Sequence, residues 1–405
     1  MPRILLFAAT TGYQTHAFTH AAAGLGVEII LATDRCHIMD DPWGDRAIAV
    51  RFDDPETSAQ AVVEALADRA INGLIAVADG PTVTAALTAE KLRLPWHSVS
   101  AAKASRDKHQ MRVLFQQAGL PVPRHERVSS PATSIEFPCV LKPLHLSGSR
   151  GVIRANNAAE LTAAFTRIGR ILGTETPTLQ IEQYIPGHEF ALEGLMNHGT
   201  LQTLAIFDKP DPLEGPYFEE TLYVTPSREA SATQQAMIET TARAAQAMGL
   251  FHGPIHAEMR VNPQGVYLLE IAARPIGGLC AKVLRFHTPA GALSLEELLI
   301  LQAIGTAPQT CTPANAAAGV MMVPVPRAGI FQSVSGVASA RATPGIEDVI
   351  ITAKAGERLV PLPEGASYTG FLFARGTTAA IVEDSLRQAH RELRFDILSA
   401  LAVLS

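Results

Sequence analysis

The stretch PIHAEMRVNPQGVYLLEIAARPIGG, residues 254–278, decides how the chain reads. Its two apolar runs, PIHAEMRV and VYLLEIA, flank Asn262-Pro-Gln-Gly265, a turn signal that folds them into an antiparallel hairpin. Glu258 and Glu270 interrupt those runs twelve residues apart. Pairing through the turn brings both carboxylates to one face, because side chains alternate along a strand and opposed residues share a side. Two carboxylates plus nucleotide phosphates are a common way to hold Mg²⁺, which prefers octahedral oxygen ligation and keeps waters. Either glutamate alone reads equally well as an exposed strand acid. Arg274 follows four residues later, succeeded by Pro275-Ile-Gly277-Gly278. Its planar fork suits charge on a transferring phosphoryl group, and a salt bridge to Glu270 is the plainer reading.

Upstream, the apolar strand FPCVLKP ends on Lys142 and runs into His145 to Gly151, a loop containing Ser147, Gly148, Ser149 and Gly151. Small residues let backbone N–H groups approach polyphosphate oxygens, and the lysine adds a compact charge. The spacing matches neither a P-loop nor a dinucleotide fingerprint, so alone the loop is a turn. Lys108, within Arg106-Asp-Lys-His-Gln-Met-Arg112, opens a helix and by itself is a solvated surface charge. Between these and the hairpin lies Glu182-Gln-Tyr184-Ile185-Pro-Gly-His-Glu189, which leaves one strand, turns at Pro186-Gly187 and enters another. Such a hinge offers backbone groups to an adenine edge and a carboxylate to ribose hydroxyls, although alone it is a hairpin.

The first hundred residues alternate short apolar strands (RILLFAA, VEIILA, GLIAVA) with helical runs at Thr15 to Ala23, Ser58 to Arg69 and Thr82 to Leu92. That alternation predicts a doubly wound parallel sheet. Ser100 to Ala118 reads as one further helix, stopped by Gly119 and Pro121-Val-Pro123. A compact α+β unit follows, then an irregular segment from Lys209 to Pro226, a helix from Ser231 to Met248, and the hairpin. Short strands, turns and a final helix from about Thr378 to Leu393 complete the chain.

The 405 residues are 47% hydrophobic and 18% charged, which sets the chain apart from disordered sequences and leaves room for two or three domains. Lys plus Arg number 33 against 39 Asp plus Glu, a net charge of −6, so no global basic field favours nucleic acid. Cys36, Cys139, Cys280 and Cys311 lack metal or redox spacing and read as buried or neutral thiols. No signal-peptide pattern and no apolar run of the roughly 18 residues a membrane helix needs is present. A cytoplasmic protein without membrane partners is the expectation.

Taken in order, Lys108, Lys142 with its loop, the Glu182 to Glu189 hinge, and Glu258 and Glu270 with Arg274 resemble the ATP-grasp superfamily, and most closely its L-amino-acid ligase branch. The resemblance runs from about residue 1 to 300. It implies α/β and α+β architecture: a Rossmann-like preATP-grasp domain (1–101), a small ATP-grasp subdomain with flanking helix (102–185), a large subdomain (186–310) and a C-terminal α+β extension completing the module (311–405). It also implies that Lys108 and Lys142 bind the ATP α and β phosphates and that the Ser147 to Gly151 loop is a lid. Glu182 with the backbone of Tyr184 and Ile185 would hold adenine, and Glu189 ribose. Glu258 and Glu270 would bind Mg²⁺, with Mn²⁺ an alternative. Arg274 and Lys142 would act on the phosphorylated intermediate, with Gly277 and Gly278 near its acyl group. The usual E-x-N-x-R pattern is altered, since Ala272 stands at the asparagine position; an E-x-A-A-R arrangement resembles the L-amino-acid ligases.

His256, Lys209 and Glu219 are further candidates for contact with substrate, each also readable as a packed or solvated residue. The partners implied are a small carboxylate, foremost an amino acid, and an amine, with a homodimer as the assembly to test. The activity implied is amide formation through an acyl phosphate with release of ADP and phosphate. A bicarbonate-activating enzyme and a non-catalytic nucleotide-binding module stay open as alternatives.

Overall fold

A computed structural model describes residues 1–9, 14–34, 47–66, 69–308, 310–314, 316–365 and 367–399. Strands β1 (Arg3–Ala8), β2 (Glu28–Thr33), β3 (Ala47–Ala49) and β4 (Gly73–Val77) form the expected parallel sheet, in the order β3-β2-β1-β4. β1, β2 and β4 are continuous apolar runs because both faces are covered. Ile4, Leu6 and Ala8 point into one core and Leu5 and Phe7 into the other.

A second sheet pairs β5 (His125–Val128), β6 (Cys139–Pro143), β7 (Ile153–Ala155) and β8 (Leu179–Gln183) in the order β5-β8-β6-β7. Helix Ala158–Leu172 covers it, started by the Asn157 side chain accepting from the Glu160 amide and ended by left-handed Gly173. Leu161, Ala164, Phe165 and Ile168 recur at helical spacing and pack on Leu141, Ile153 and Ile181. Burial of each large side chain is worth about 1.5–3 kcal/mol.

The third sheet has eight antiparallel strands. β9 (His188–Asn197), β10 (Thr200–Lys209), β11 (Leu222–Thr225), β12 (Gly253–Asn262) and β13 (Gly265–Ala272) run in the order β13-β12-β9-β10-β11. The sheet continues through Ala317–Val323, Gly370–Gly376 and Ile346–Ile351, so it crosses the 310/311 division read from the sequence. Helices Lys108–Gln117 and Ser231–Met248 cover one face. On the other, helix Leu295–Ala303 lies in a core shared with the parallel sheet.

The single helix expected from Ser100 to Ala118 is two, Val99–Ala104 and Lys108–Gln117. The Asp107 carboxylate accepts from the His109 and Gln110 amides and restarts the helix, which places Lys108 in its first turn. Cys139 and Cys280 are buried, Cys311 is half-buried and all are free, whereas Cys36 lies outside the described residues. Burial pushes the Cys139 thiol up to about 11. Among the described residues no helix is long and apolar enough to cross a membrane.

Gly187 joins the second and third sheets at φ +123°, and a Cβ there would sit 2.2 Å from the Val261 carbonyl oxygen. Both the left-handed backbone and the backbone-to-backbone clash exclude a side chain. Gly187→Ala is expected to lower the unfolding free energy by about 1–3 kcal/mol in urea titration; an unchanged midpoint would contradict this reading of the hinge.

Candidate active site

Hairpin β12–β13 pairs Glu258 directly with Glu270, with a register irregularity just after Glu258. The expected shared face is therefore realised. Alternation along β12 sends His256, Glu258 and Arg260 to the side opposite Ala257 and Met259, which are fully buried in the core. On the adjoining β9, Glu193 lies opposite His256 and Glu189 opposite Arg260. A row of charge thus crosses the centre of an otherwise apolar sheet.

Each basic group in this region has a carboxylate. Lys108 lies 3.4 Å from Glu270. Its ammonium also donates to the Leu146 carbonyl at 2.6 Å, tying it to the loop before Ser147. Glu182, nearly fully buried, takes both Lys142 and Arg112. Lys209 sits 2.9, 2.8 and 3.1 Å from Glu189, Glu220 and Glu258. Arg274 grips Asp79 of the parallel-sheet domain with two bonds, at 3.0 and 3.2 Å. Asp79 thus takes the place of Glu270, the salt-bridge partner that the sequence leaves open as the alternative to a phosphoryl role.

These pairs set the protonation states. Burial opposes ionisation of Glu182, but the Arg112 and Lys142 cations outweigh it and bring its carboxyl down to about 2. For Lys142 the balance tips the other way: burial, helped by nearby Arg112 and Lys108, overcomes Glu182 and lowers the ammonium to about 8. Arg112 is the permanent partner of Glu182, and Lys142 is left under-compensated. Burial would also neutralise His256, but hydrogen bonds to Glu193 and Glu258 raise it to about 9. Glu220 is pushed up to about 7 by burial and by Glu258, despite Lys209.

One cavity is lined by Lys108, Lys142, Ser147, Gly148, Ser149, Glu182, Tyr184, Ile185, Glu189, His256, Glu258, Glu270, Arg274, Gly277 and Gly278. Three candidates stand apart from its lining. Gly151 turns away at φ +71° and donates to the Pro363 carbonyl. Lys209 lies 4% exposed behind the lining, inside its carboxylate cage. Glu219 does not line the cavity; Glu220 does. Lys209 is held by internal anions, and at 219–220 it is Glu220 that faces the cavity. Glu182 lines the cavity with its carboxylate paired to Arg112 and Lys142.

Several lining residues escaped the sequence reading. Asp79 follows β4, the kind of strand end where parallel sheets bind ligands, but nothing in its neighbours marks it. Arg260 was legible in principle, as the third polar residue at alternate positions of β12. It donates to Glu189, Tyr184 Oη and the Ile185 carbonyl, holding the hinge. Tyr223, Cys280, Met322 and Tyr368 add an apolar wall. The 147–151 loop is also fastened from the C-terminal region: Arg150 donates to the Glu364 carbonyl at 2.9 Å, and Glu364 forms a two-bond pair with Arg167.

The donor chemistry fits both expected ligands. Carboxylate oxygens of Glu258 and Glu270 are hard donors suited to Mg²⁺. Glu189, Glu220 and Glu258 also offer oxygens within 4.8 Å of one another. The Lys209 ammonium lies inside that trio, and Lys108 lies 3.4 Å from Glu270. Ala272, opposite His256 and 4% exposed, supplies no donor.

Three family models match the chain in sequence order: an ATP-grasp N-terminal domain at residues 19–96, an ATP-grasp domain at 135–283 and the L-amino acid ligase C-terminal domain 2 at 321–397. The chain belongs to the ATP-grasp family. It is 27% identical to the alanine–anticapsin ligase of Bacillus subtilis over 216 residues, 46% of this chain and 45% of that protein. A D-alanine–D-alanine ligase of Pseudomonas putida is 30% identical over 200 residues, 46% of this chain and 60% of that protein. The aligned part thus spans about half the length of these relatives. Among solved structures, an L-amino acid ligase from Bacillus licheniformis superposes with a TM-score of 0.81 at 22% identity, covering 98% of this chain and 99% of that one. N5-carboxyaminoimidazole ribonucleotide synthetase from Thermotoga maritima superposes at 0.72 with 16% identity, covering 99% and 100%. Both share this ATP-grasp fold.

The Glu182 pairing has a pH signature. Its folded-state pKa, about 2, lies below the ordinary 4.5, so its stabilisation is complete above pH 4.5 and is lost as pH falls towards 2. That contribution is on the order of 3 kcal/mol. Glu182→Gln leaves two cations unpaired and is less stable at neutral pH, but its unfolding free energy in urea is expected to fall less steeply between pH 4.5 and 2. An identical slope in both proteins would contradict the pairing.

Proposed function

We propose that the chain is an ATP-dependent carboxylate–amine ligase that activates an amino acid as its acyl phosphate and joins it to a second amine, giving a dipeptide. The observation that carries this reading is the convergence on one cavity of Lys108, Lys142 and Arg274 with a cross-strand pair of glutamates. Cations suited to phosphate and hard oxygen donors suited to Mg²⁺ meet there.

Adenine would lie at the hinge. The Tyr184 N–H is taken by Pro138 and the Ile185 carbonyl by Arg260, which leaves the Tyr184 carbonyl and Ile185 N–H for the base edge. Glu189, oriented by Arg260, would take the ribose. Lys142 and Lys108 would meet the α and β phosphates, with Glu182 anchoring Lys142. In the 147–151 loop, Gly148 at φ +61° and Ser149 at φ +55° turn the backbone beside those phosphates. Mg²⁺, or Mn²⁺ in its place, bound by Glu258 and Glu270 would offset charge on the phosphate oxygens.

In the first half-reaction a substrate carboxylate oxygen attacks the γ-phosphorus and ADP leaves. Lys142 and Arg274 offset the developing charge, in chemistry that depends chiefly on positioning and electrostatics. In the second, the amine attacks the acyl carbon. Arg274 and the Gly277–Gly278 amides stabilise the oxyanion, phosphate departs, and the nitrogen gives up a proton. Water would destroy the intermediate, so the fastening of the 147–151 loop to Pro363 and Glu364 serves exclusion.

The wall of Tyr223, Cys280, Met322 and Tyr368 favours an organic acid with apolar bulk over bicarbonate. Incubation with Mg-ATP and pooled amino-acid pairs, followed by phosphate release and product mass, is expected to yield a dipeptide. Glu270→Ala is expected to abolish turnover while keeping the fold. Release of ADP with bicarbonate and no amino acid would favour carboxyphosphate chemistry. No ADP under any of these conditions would remove the enzyme reading.

A further inference from the structure

Glu193 is a fully buried carboxylate at mid-strand in β9, a position whose neighbours Ala191, Leu192 and Leu195 are core residues. An unpaired charge there would cost several kcal/mol, so its hydrogen bonds decide whether it can be tolerated. Both oxygens lie 3.1 Å from the Ile276 N–H, and Oε2 lies 3.2 Å from His256 Nδ1. On the far side of the same residue, the Ile276 carbonyl accepts from the Gln14 side-chain amide, itself buried at the start of the parallel-sheet domain.

From these contacts we infer that Glu193 is a positioning residue that fixes, as one unit, the Pro275–Gly278 strap and the His256 ring. Resting on the ligase reading, it would set the aim of the amides that meet the acyl oxyanion. Gly277 and Gly278 have no side chains to restrain them, and a Cβ at Gly277 would meet nothing within 4 Å. Glu193 fixes the peptide before Ile276 through its N–H, Gln14 fixes the next one, which carries the Gly277 N–H, through the Ile276 carbonyl, and the Gly277 carbonyl accepts from the Cys280 N–H. The same carboxylate accepts the Nδ1 proton of His256, which leaves Nε2 towards Glu258 at 3.5 Å. His256 sits on β12 and Ile276 just beyond β13, and the Glu193 carboxylate ties the ring and the strap to one group. Misplacement by about 1 Å costs on the order of a hundredfold in rate.

Two variants separate the roles. In Glu193→Gln the amide oxygen still accepts from Ile276, while its NH₂ faces Nδ1 and cannot accept the Nδ1 proton. In Glu193→Ala both anchors go. For Gln the expectation is an unchanged thermal midpoint, KM for ATP within about threefold of wild type, kcat lower by about a hundredfold, and an Ile276 amide still protected from hydrogen exchange. For Ala, kcat falls at least as far and the Ile276 amide exchanges at least about tenfold faster, with the ATP KM again held. The proposal is overturned if both variants keep kcat within about threefold. It is equally overturned if Ile276 protection survives in Ala, or if ATP binding falls in step with kcat, as general loosening would cause. Should wild type release no ADP with any carboxylate, the ligase reading fails separately; Ile276 exchange and the ¹⁵N shifts of His256 then decide the positioning claim, and unchanged values in both variants would sink it.

Discussion

Lys108, Lys142 and Arg274 are held largely out of water around one cavity, and each is matched to a carboxylate from a different element. The geometry of the whole molecule follows from that matching. Arg274, just after β13, reaches Asp79 just after β4, which locks the large antiparallel sheet to the parallel one across 195 residues of sequence. Glu182 on β8 draws in Arg112 from helix Lys108–Gln117 and Lys142 from β6, which locks the small sheet to the same helix. Removing one partner of a buried pair is strongly destabilising, by about 3–5 kcal/mol, because the other stays charged and dry. The interdomain arrangement and the chemical site are therefore one structure.

The compensation is uneven, and the unevenness has chemical meaning. Glu182 is shared between two cations, so Lys142 retains a charge that its surroundings only partly support. A polyanion entering the cavity would supply the missing counter-charge. Lys209 is the opposite case: three carboxylates surround a single ammonium, and it carries its charge securely. Of these buried lysines, Lys142 is the one the internal anions do not satisfy.

What the sequence made legible was whatever had a period or a fixed local spacing. The parallel sheet appeared as unbroken apolar runs, and the Glu258–Glu270 pair followed from a twelve-residue separation across a turn. Helix Ser231–Met248 was bounded to the residue. Contacts made at long range left no such trace. Asp79 follows a strand like any other turn acid, and Glu193 is one polar letter in an apolar strand. The choice between Glu219 and Glu220 depended on the direction of an irregular segment with no period to read. The helix start at Lys108 was legible, but the run from Ser100 to Ala118 hid the break before it, and the two cations that pair with Glu182 left no trace because they lie 40 and 70 residues away.

The account turns on an under-compensated Lys142 that meets polyphosphate, and titration calorimetry of Mg-ATP binding tests it. At pH 8, near the lowered pKa of Lys142, nucleotide binding should raise that pKa and draw a proton from the buffer. The observed enthalpy should then change between buffers of different ionisation enthalpy, and the change should disappear near pH 6, where Lys142 is already charged. Tight binding with no buffer dependence at pH 8 would contradict the account.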